Sequence, residues 1–215
     1  MRLCIFKCLI DSHPKETELD DIVKIMRSSD RLRALCEKYN SVSGKGMKRK
    51  KNQIKKREFP AFVASSLLFE GKGHRHVIGL TNLCFLDIDH LNEKQINEVM
   101  ESLRQDEHVV LAVRSMSGSG LHLFVKYQFK DMVYPQITTM SADNMVKTYM
   151  TVFNTFSHHY QTKLQLPIDE SGMNVVQTCN ISYDPELYYN PQAIPYTLLF
   201  EQPNDTPKQQ MLNIL

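Results

Sequence analysis

The sequence predicts an α/β (α+β) fold, and three observations carry that expectation. Apolar residues recur at helical spacing in Glu18–Ser28, Asn92–Asp106 and Asp143–Tyr160, while short apolar runs at 83–89, 109–115 and 121–127 have strand length. The chain has 215 residues, 42% of them hydrophobic and 23% charged, enough for one substantial core of ordinary composition. No apolar run approaches the roughly 20 residues that span a bilayer.

Taken in order, Met1–Ile10 is apolar but interrupted by Lys7 with no small-residue cleavage site after it, so it reads as a first strand rather than a signal peptide. Leu19, Ile22, Val23, Ile25 and Met26 make one helix stripe, and Leu32, Leu35, Cys36 and Tyr39 make a second after Asp30. The basic run that follows reads as a mobile loop or helix extension. Phe59–Val63 begins a strand-rich region in which Pro60 points to an edge position. Gly71–His76 reads as a turn, with His74 and His76 decorating it, and Val77–Leu80 as a short strand. Asn92 with Gln95 three positions on forms a capping box for the next helix. Val109–Ser115 and Leu121–Tyr127 read as strands joined through Met116–Gly120 as a hairpin. The helix from Asp143 to Tyr160 puts His158 and His159 at its end, where they offset the dipole. Val175–Tyr183 and Tyr196–Phe200 are expected strands, and Asp184–Pro191 is a structured connection in which Asp184 organises a turn. The expected organisation is 1–58 as a strand, helices and basic segment packing on the core, 59–200 as the core itself, and 201–215 as a tail or linker.

The five cysteines are odd in number and contain no Cys-x-x-Cys, a pattern of buried thiols in a reducing cytoplasm rather than a disulfide framework or zinc ribbon. The net charge of +2 is uneven: residues 45–57 hold eight of the 26 basic residues and no acid, leaving 18 basic against 24 acidic residues elsewhere. Lys48, Arg49, Lys50, Lys51, Lys55, Lys56 and Arg57 therefore make either a solvated face or a contact for phosphate backbones. Ser43-Gly-Lys-Gly46 lacks P-loop spacing.

Leu83-Cys-Phe-Leu-Asp-Ile-Asp-His90 holds the most specific chemistry. On a strand, Asp87 and Asp89 share one face about 7 Å apart, within reach of one divalent cation or a close pair. Taken alone, Asp-x-Asp is common, and a strand end with solvated or capping acids is the plainer account of the pair. In the strand from Leu121, His122, Phe124 and Lys126 share a face, which sets an imidazole and an ammonium on one surface. Ile168-Asp169 ends a later strand with a third acid, to which Asp184 is a weaker rival.

Together, Leu86-Asp-Ile-Asp89, the Ser/Gly loop leading to His122, and Ile168-Asp169 resemble the three motifs of the archaeo-eukaryotic primase (primase-polymerase) superfamily. The closer resemblance is to the N-terminal domain family of virulence-associated protein E-like proteins, primase relatives of mobile elements. It is carried by Phe59-Pro-Ala-Phe62, Leu80–Leu91, Ser115–Leu121, Ile168–Gly172 and Ser182–Pro191. The resemblance implies a two-layer core with a mixed or antiparallel sheet flanked by helices. It also implies that Asp87, Asp89 and Asp169 hold Mg2+ or Mn2+, hard cations suited to oxygen ligands. His122 would contact an incoming nucleoside triphosphate, with Ser117, Ser119 and Lys126 assisting, and the basic run would follow a single-stranded DNA or RNA template. A separate helicase would supply unwinding, in the cytoplasm and away from any membrane.

The chain departs from that family where a second Asp and an Arg commonly follow the third acid, for Asn174 and Gln177 stand there. It carries His122 where many close relatives have Lys. Three functions remain distinct: template-directed nucleotidyl transfer, a catalytically reduced single-strand-binding accessory domain, and a metal-dependent nuclease.

Overall fold

The computed structural model describes residues 1–130 and 140–199 and has an α+β fold. The expected tail at 201–215 lies outside the described residues. Strand β1 (Arg2–Phe6) is followed by β2 (Lys15–Glu18), α1 (Leu19–Ser28), α2 (Asp30–Ser41) and α3 (Met47–Arg57). Then come β3 (Ala61–Val63), β4 (Ser66–Leu68), β5 (Val77–Leu80), β6 (Leu83–Ile88), α4 (Glu93–Arg104), β7 (Val109–Arg114) and β8 (Leu121–Phe129). The chain continues through α5 (Ala142–Leu164), a 3-10 turn at Glu170–Met173, β9 (Thr178–Asn180), β10 (Tyr188–Tyr189) and β11 (Tyr196–Leu198).

Local signals explain most boundaries. Ser29 ends α1 and caps α2, its side chain accepting from the Leu32 N–H. Asn92 and Gln95 form the expected capping box of α4, each satisfying the other's backbone N–H. Ser141 caps α5 through the Asn144 N–H. That helix runs to Leu164, so His158 and His159 lie inside it and Lys163 occupies its last turn, contrary to the expected helix end. His159 Nε2 instead meets the Tyr196 hydroxyl at 3.1 Å.

Two sheets position the site. The first is antiparallel, in the order β2-β1-β3-β9. Pro60 stands just before β3, so this strand is central rather than at an edge; the Pro60 carbonyl accepts from the Ile181 N–H and its missing donor is not needed. In the second sheet β8 pairs antiparallel with β6 and β7, the β7–β8 hairpin being the expected one, while β11 runs parallel to the end of β8 and β10 edges β7. The strand expected over 175–183 is shorter, 178–180, because Asn174 and Gln177 close a tight turn before it.

The core forms two clusters, each drawing on both sheets. One joins Leu3, Phe62 and Cys179 to Leu83, Phe85 and Phe124 under α1 and α2; the other joins Phe6 and Val63 to Cys84, Leu86 and Val125 under α4 and α5. No helix among the described residues is long and apolar enough to cross a membrane.

The basic run is neither a mobile loop nor an extension of α2. It is a separate helix, α3, opened by Gly46 at φ 79°. Lys, Arg and Gln are good helix formers, and Ile54, the helix's one buried residue, pins it to the body.

Candidate functional site

Strand β6 ends where His90 takes a positive φ of 62°, and just before that point it presents its acids. Asp87 lies opposite His122 in the β6–β8 ladder, and opposite Asp169 on the other edge, where the Asp169 N–H donates to the Asp87 carbonyl at 2.8 Å. Directly opposed residues of antiparallel strands project to one face. A row of imidazole, carboxyl and carboxyl therefore crosses the sheet, with exposed Asp89 two residues further along.

Two close approaches hold this row. A Cβ on Gly120 would stand 2.7 Å from the Ile88 carbonyl and 3.2 Å from Asp89 Oδ1, so only glycine lets the hairpin pass behind Asp89. A Cβ on Gly172 would stand 2.7 Å from both the Phe85 carbonyl and the Phe153 ring, so glycine also seats the turn after Asp169. Buried Tyr149 ties the same parts together: it accepts from the Phe85 N–H at 3.3 Å and from Ser65 Oγ at 2.7 Å, and donates to the Gly172 carbonyl at 3.1 Å.

A cleft of about 130 Å3 lies where the two sheets meet. The second sheet and its hairpin contribute Phe85, Asp87, Asp89, Ser115, Ser117 and His122. Gln177, Thr178, Cys179 and Asn180 face them from in and around β9, and Tyr39 and Lys55 close the cleft from α2 and α3. His122 packs edge-on against Phe85 at 5.5 Å, and its Nε2 stands 3.7 Å from Asp87 Oδ1. Burial, then the nearby Asp89 and Asp169 carboxylates, push the Asp87 carboxyl up to about 7, while Lys55 pulls against them. Burial first and the Lys55 cation second lower His122 to about 4, so its ring is neutral. Asp87 Oδ1 and His122 Nδ1 are buried with no hydrogen-bond partner.

Asp87, Asp89, His122 and Ser117 thus come together as the sequence predicts. Asp169 adjoins them through the bridge, but one of its oxygens accepts from the Ser171 N–H at 2.7 Å, and bonding to Ser171 holds its pKa down. Ser119 reaches the cleft only through Ser117, in a chain of hydroxyls Ser115–Ser117–Ser119 spaced 3.0 and 2.9 Å. Lys126 lies four residues along β8 from His122, opposite Leu83, where its ammonium donates to the Ala193 carbonyl at 3.1 Å, away from the acids. Asp184 organises its turn, accepting from the Arg114 and Glu186 N–H groups, rather than acting as the third acid. Asn174 likewise serves local structure, accepting from the Val176 N–H and meeting His74 Nε2.

On α3, Lys48, Arg49, Lys50, Lys56 and Arg57 are exposed, Lys51 lies 4.9 Å over the Tyr39 ring, and Lys55 enters the cleft. Sequence reasoning grouped Lys55 with its neighbours. The signal that separates it is its place beside Ile54, the only apolar residue between Met47 and Arg57. Tyr39, Thr178 and Asn180 carry no such signal; Asn180 shows its role only in donating to the Lys55 carbonyl at 3.1 Å.

Two carboxylates, one with an orphaned buried oxygen, are hard donors that fit a divalent cation such as Mg2+ or Mn2+. Among the described residues no three His, Cys, Asp or Glu side chains already stand as a ligand cluster, so Asp169 would have to turn from Ser171 to join them.

A family model described as "BT4734-like, N-terminal domain" matches residues 54–189, more than half of the chain and the part that holds both acids, His122 and Asp169. No curated protein and no solved structure matches the chain significantly.

Proposed function

The chain belongs to the family of BT4734-like N-terminal domains, and from the geometry of its cleft we propose a metal-dependent nucleotidyl-transfer site of the primase-polymerase type, acting along a nucleic-acid strand. The row His122–Asp87–Asp169, with Asp89 beside it and Lys55 opposite, carries this reading. A carboxyl raised first by burial and then by two neighbouring carboxylates marks a site that a cation would suit.

Asp87 and Asp89 would hold the cation, with Asp169 drawn in. Mg2+ or Mn2+ there would favour ionisation of an attacking hydroxyl and offset charge on a leaving pyrophosphate. Neutral His122 would donate a hydrogen bond to a triphosphate oxygen. Lys55 would pair with a phosphate, and the hydroxyls of Ser115 and Ser117 would add donors. The exposed cations of α3 would follow the strand's backbone. The resemblance to virulence-associated protein E-like proteins supports a role in mobile-element replication, and five free thiols support a reducing, cytoplasmic setting.

The test is template-dependent incorporation of labelled nucleotides with Mn2+ or Mg2+, lost in Asp87→Ala/Asp89→Ala. Degradation of labelled DNA without added nucleotides would instead make the acids those of a nuclease. A second reading rests on the engaged Asp169 and on uncharged Gln177 in the cleft: a catalytically reduced domain that binds single strands. Tight single-strand binding without any incorporation would select it.

A further inference from the structure

The first sheet carries a second concavity, of about 440 Å3, at its β1–β2 end. Ile5 and Pro60 are its apolar lining together with the backbone at Phe6, whose ring turns into the core on the other face of β1, and Lys7, His13, Lys15 and Arg31 line it as well. Its one acid, Asp11, is committed to the local loop: Oδ2 accepts from the Lys7 N–H and Oδ1 from the His13 N–H, each at 3.0 Å. Among the described residues Lys7, Lys15 and Arg31 have no acidic side chain within ion-pair distance, although other exposed basic residues such as Arg2, Lys24 and Lys38 do. The Asp11 carboxylate offsets one of these charges, so Lys7, Lys15 and Arg31 together leave the basin net positive.

We infer that this basin binds a nucleoside phosphate, its base and sugar against Ile5 and Pro60 and its phosphate among Lys7, Lys15 and Arg31. The volume lies within the range of roughly 300–1,000 Å3 usual for small-ligand sites. The site is separate from the acid cleft. Lys15 pairs with Ile5, Ile5 with Phe62, and Phe62 with Cys179, so three inter-strand steps, about 14 Å, separate the basin's Lys15 from the cleft's Cys179. The inference therefore stands whether or not the cleft transfers nucleotides. A free nucleotide and the phosphorylated end of a strand offer the same chemistry.

The experiment is calorimetric titration of the full chain in EDTA, which silences any divalent-cation site, with adenosine monophosphate, adenosine, inorganic phosphate, and a dinucleotide with or without a 5′-phosphate. Adenosine monophosphate should bind more tightly than adenosine or inorganic phosphate. Lys15→Glu/Arg31→Glu should weaken it by roughly tenfold or more, with unchanged far-ultraviolet circular dichroism, while Asp87→Asn leaves it unaltered. Lys15→Gln, a milder change of an exposed side chain, should give a smaller loss in the same direction. Preference for the 5′-phosphorylated dinucleotide over adenosine monophosphate would identify a strand end as the source, and the reverse a free nucleotide; both support the site. Failure of adenosine monophosphate to bind at millimolar concentration, equal binding by the charge-reversed protein, or loss in Asp87→Asn would overturn it.

Discussion

His122 Nε2 and Asp87 Oδ1 stand 3.7 Å apart across the β6–β8 ladder, and burial drives their titrations in opposite directions. Asp87 rises to about 7, so between about pH 4 and 7 the folded state holds a proton that the unfolded state releases, and stability falls as pH rises. His122 falls to about 4, so between pH 4 and 6.5 the unfolded state binds the extra proton and stability rises with pH. The two effects oppose each other up to pH 6.5, and above it only the Asp87 cost grows. Without divalent cations, Asp87→Asn should stabilise the protein at pH 8 by at most about 4 kcal/mol, with about a third of that gain left at pH 5. Thermal melts in EDTA at both pH values measure it; equal shifts would contradict the assignment.

A cation held by Asp87 and Asp89 binds the folded state alone. Mn2+ at a hundred times its dissociation constant should stabilise the wild type at pH 8 by about 2.7 kcal/mol. The melting temperature of Asp87→Asn/Asp89→Asn should not respond. An unresponsive wild type would remove the metal from the site.

Lys55, though exposed like Lys48, Arg49, Lys50 and Lys56, is the one of these cations that lines the cleft. Lys55→Ala should raise the pKa of both Asp87 and His122, which it now lowers, and the His122 shift is readable by NMR titration. Neutralising Lys48, Arg49, Lys50 and Lys51 should instead leave those values alone and flatten the salt dependence of DNA binding by roughly 0.7–0.9 log units for each phosphate no longer neutralised.

Gly120→Ala would drive a Cβ into the Ile88 carbonyl and against Asp89. Because the nearer obstacle is backbone, the hairpin must shift, at a cost of about 1–3 kcal/mol. Denaturant melts and nucleotide incorporation should both decline; unaltered stability would mean that the hairpin has room to move.

Tyr149→Phe removes the hydroxyl that joins Phe85, Ser65 and Gly172. The loss should be about 1–3 kcal/mol, with faster amide exchange in the turn after Asp169 as the readout that a loss of packing elsewhere would not produce.

The sequence revealed what periodicity and short-range chemistry encode. The β6 acids, the α4 capping box, the β7–β8 hairpin and the turn role of Asp184 follow from residue type and local spacing. What depends on partners far along the chain was not legible. Lys126 shares a strand face with His122, but four residues of strand rise carry it out of the cleft. The length of α5 was underestimated because Gln161–Leu164 adds polar residues, with Lys163 held by Asp106 at 2.6 Å. Pro60 suggested an edge because its place before β3, where no donor is required, is a tertiary fact.

Helix α3 buries one side chain against the body, Ile54, and the next residue is the cation that acts on Asp87 and His122. Seating of the helix and ionisation of the acid row are therefore linked energetically. Lifting α3 withdraws the ammonium and makes Asp87 keep its proton to higher pH; ionising Asp87 tightens the helix by the same free energy. A polyanion gripping the outer lysines would be felt at the carboxylates without touching them.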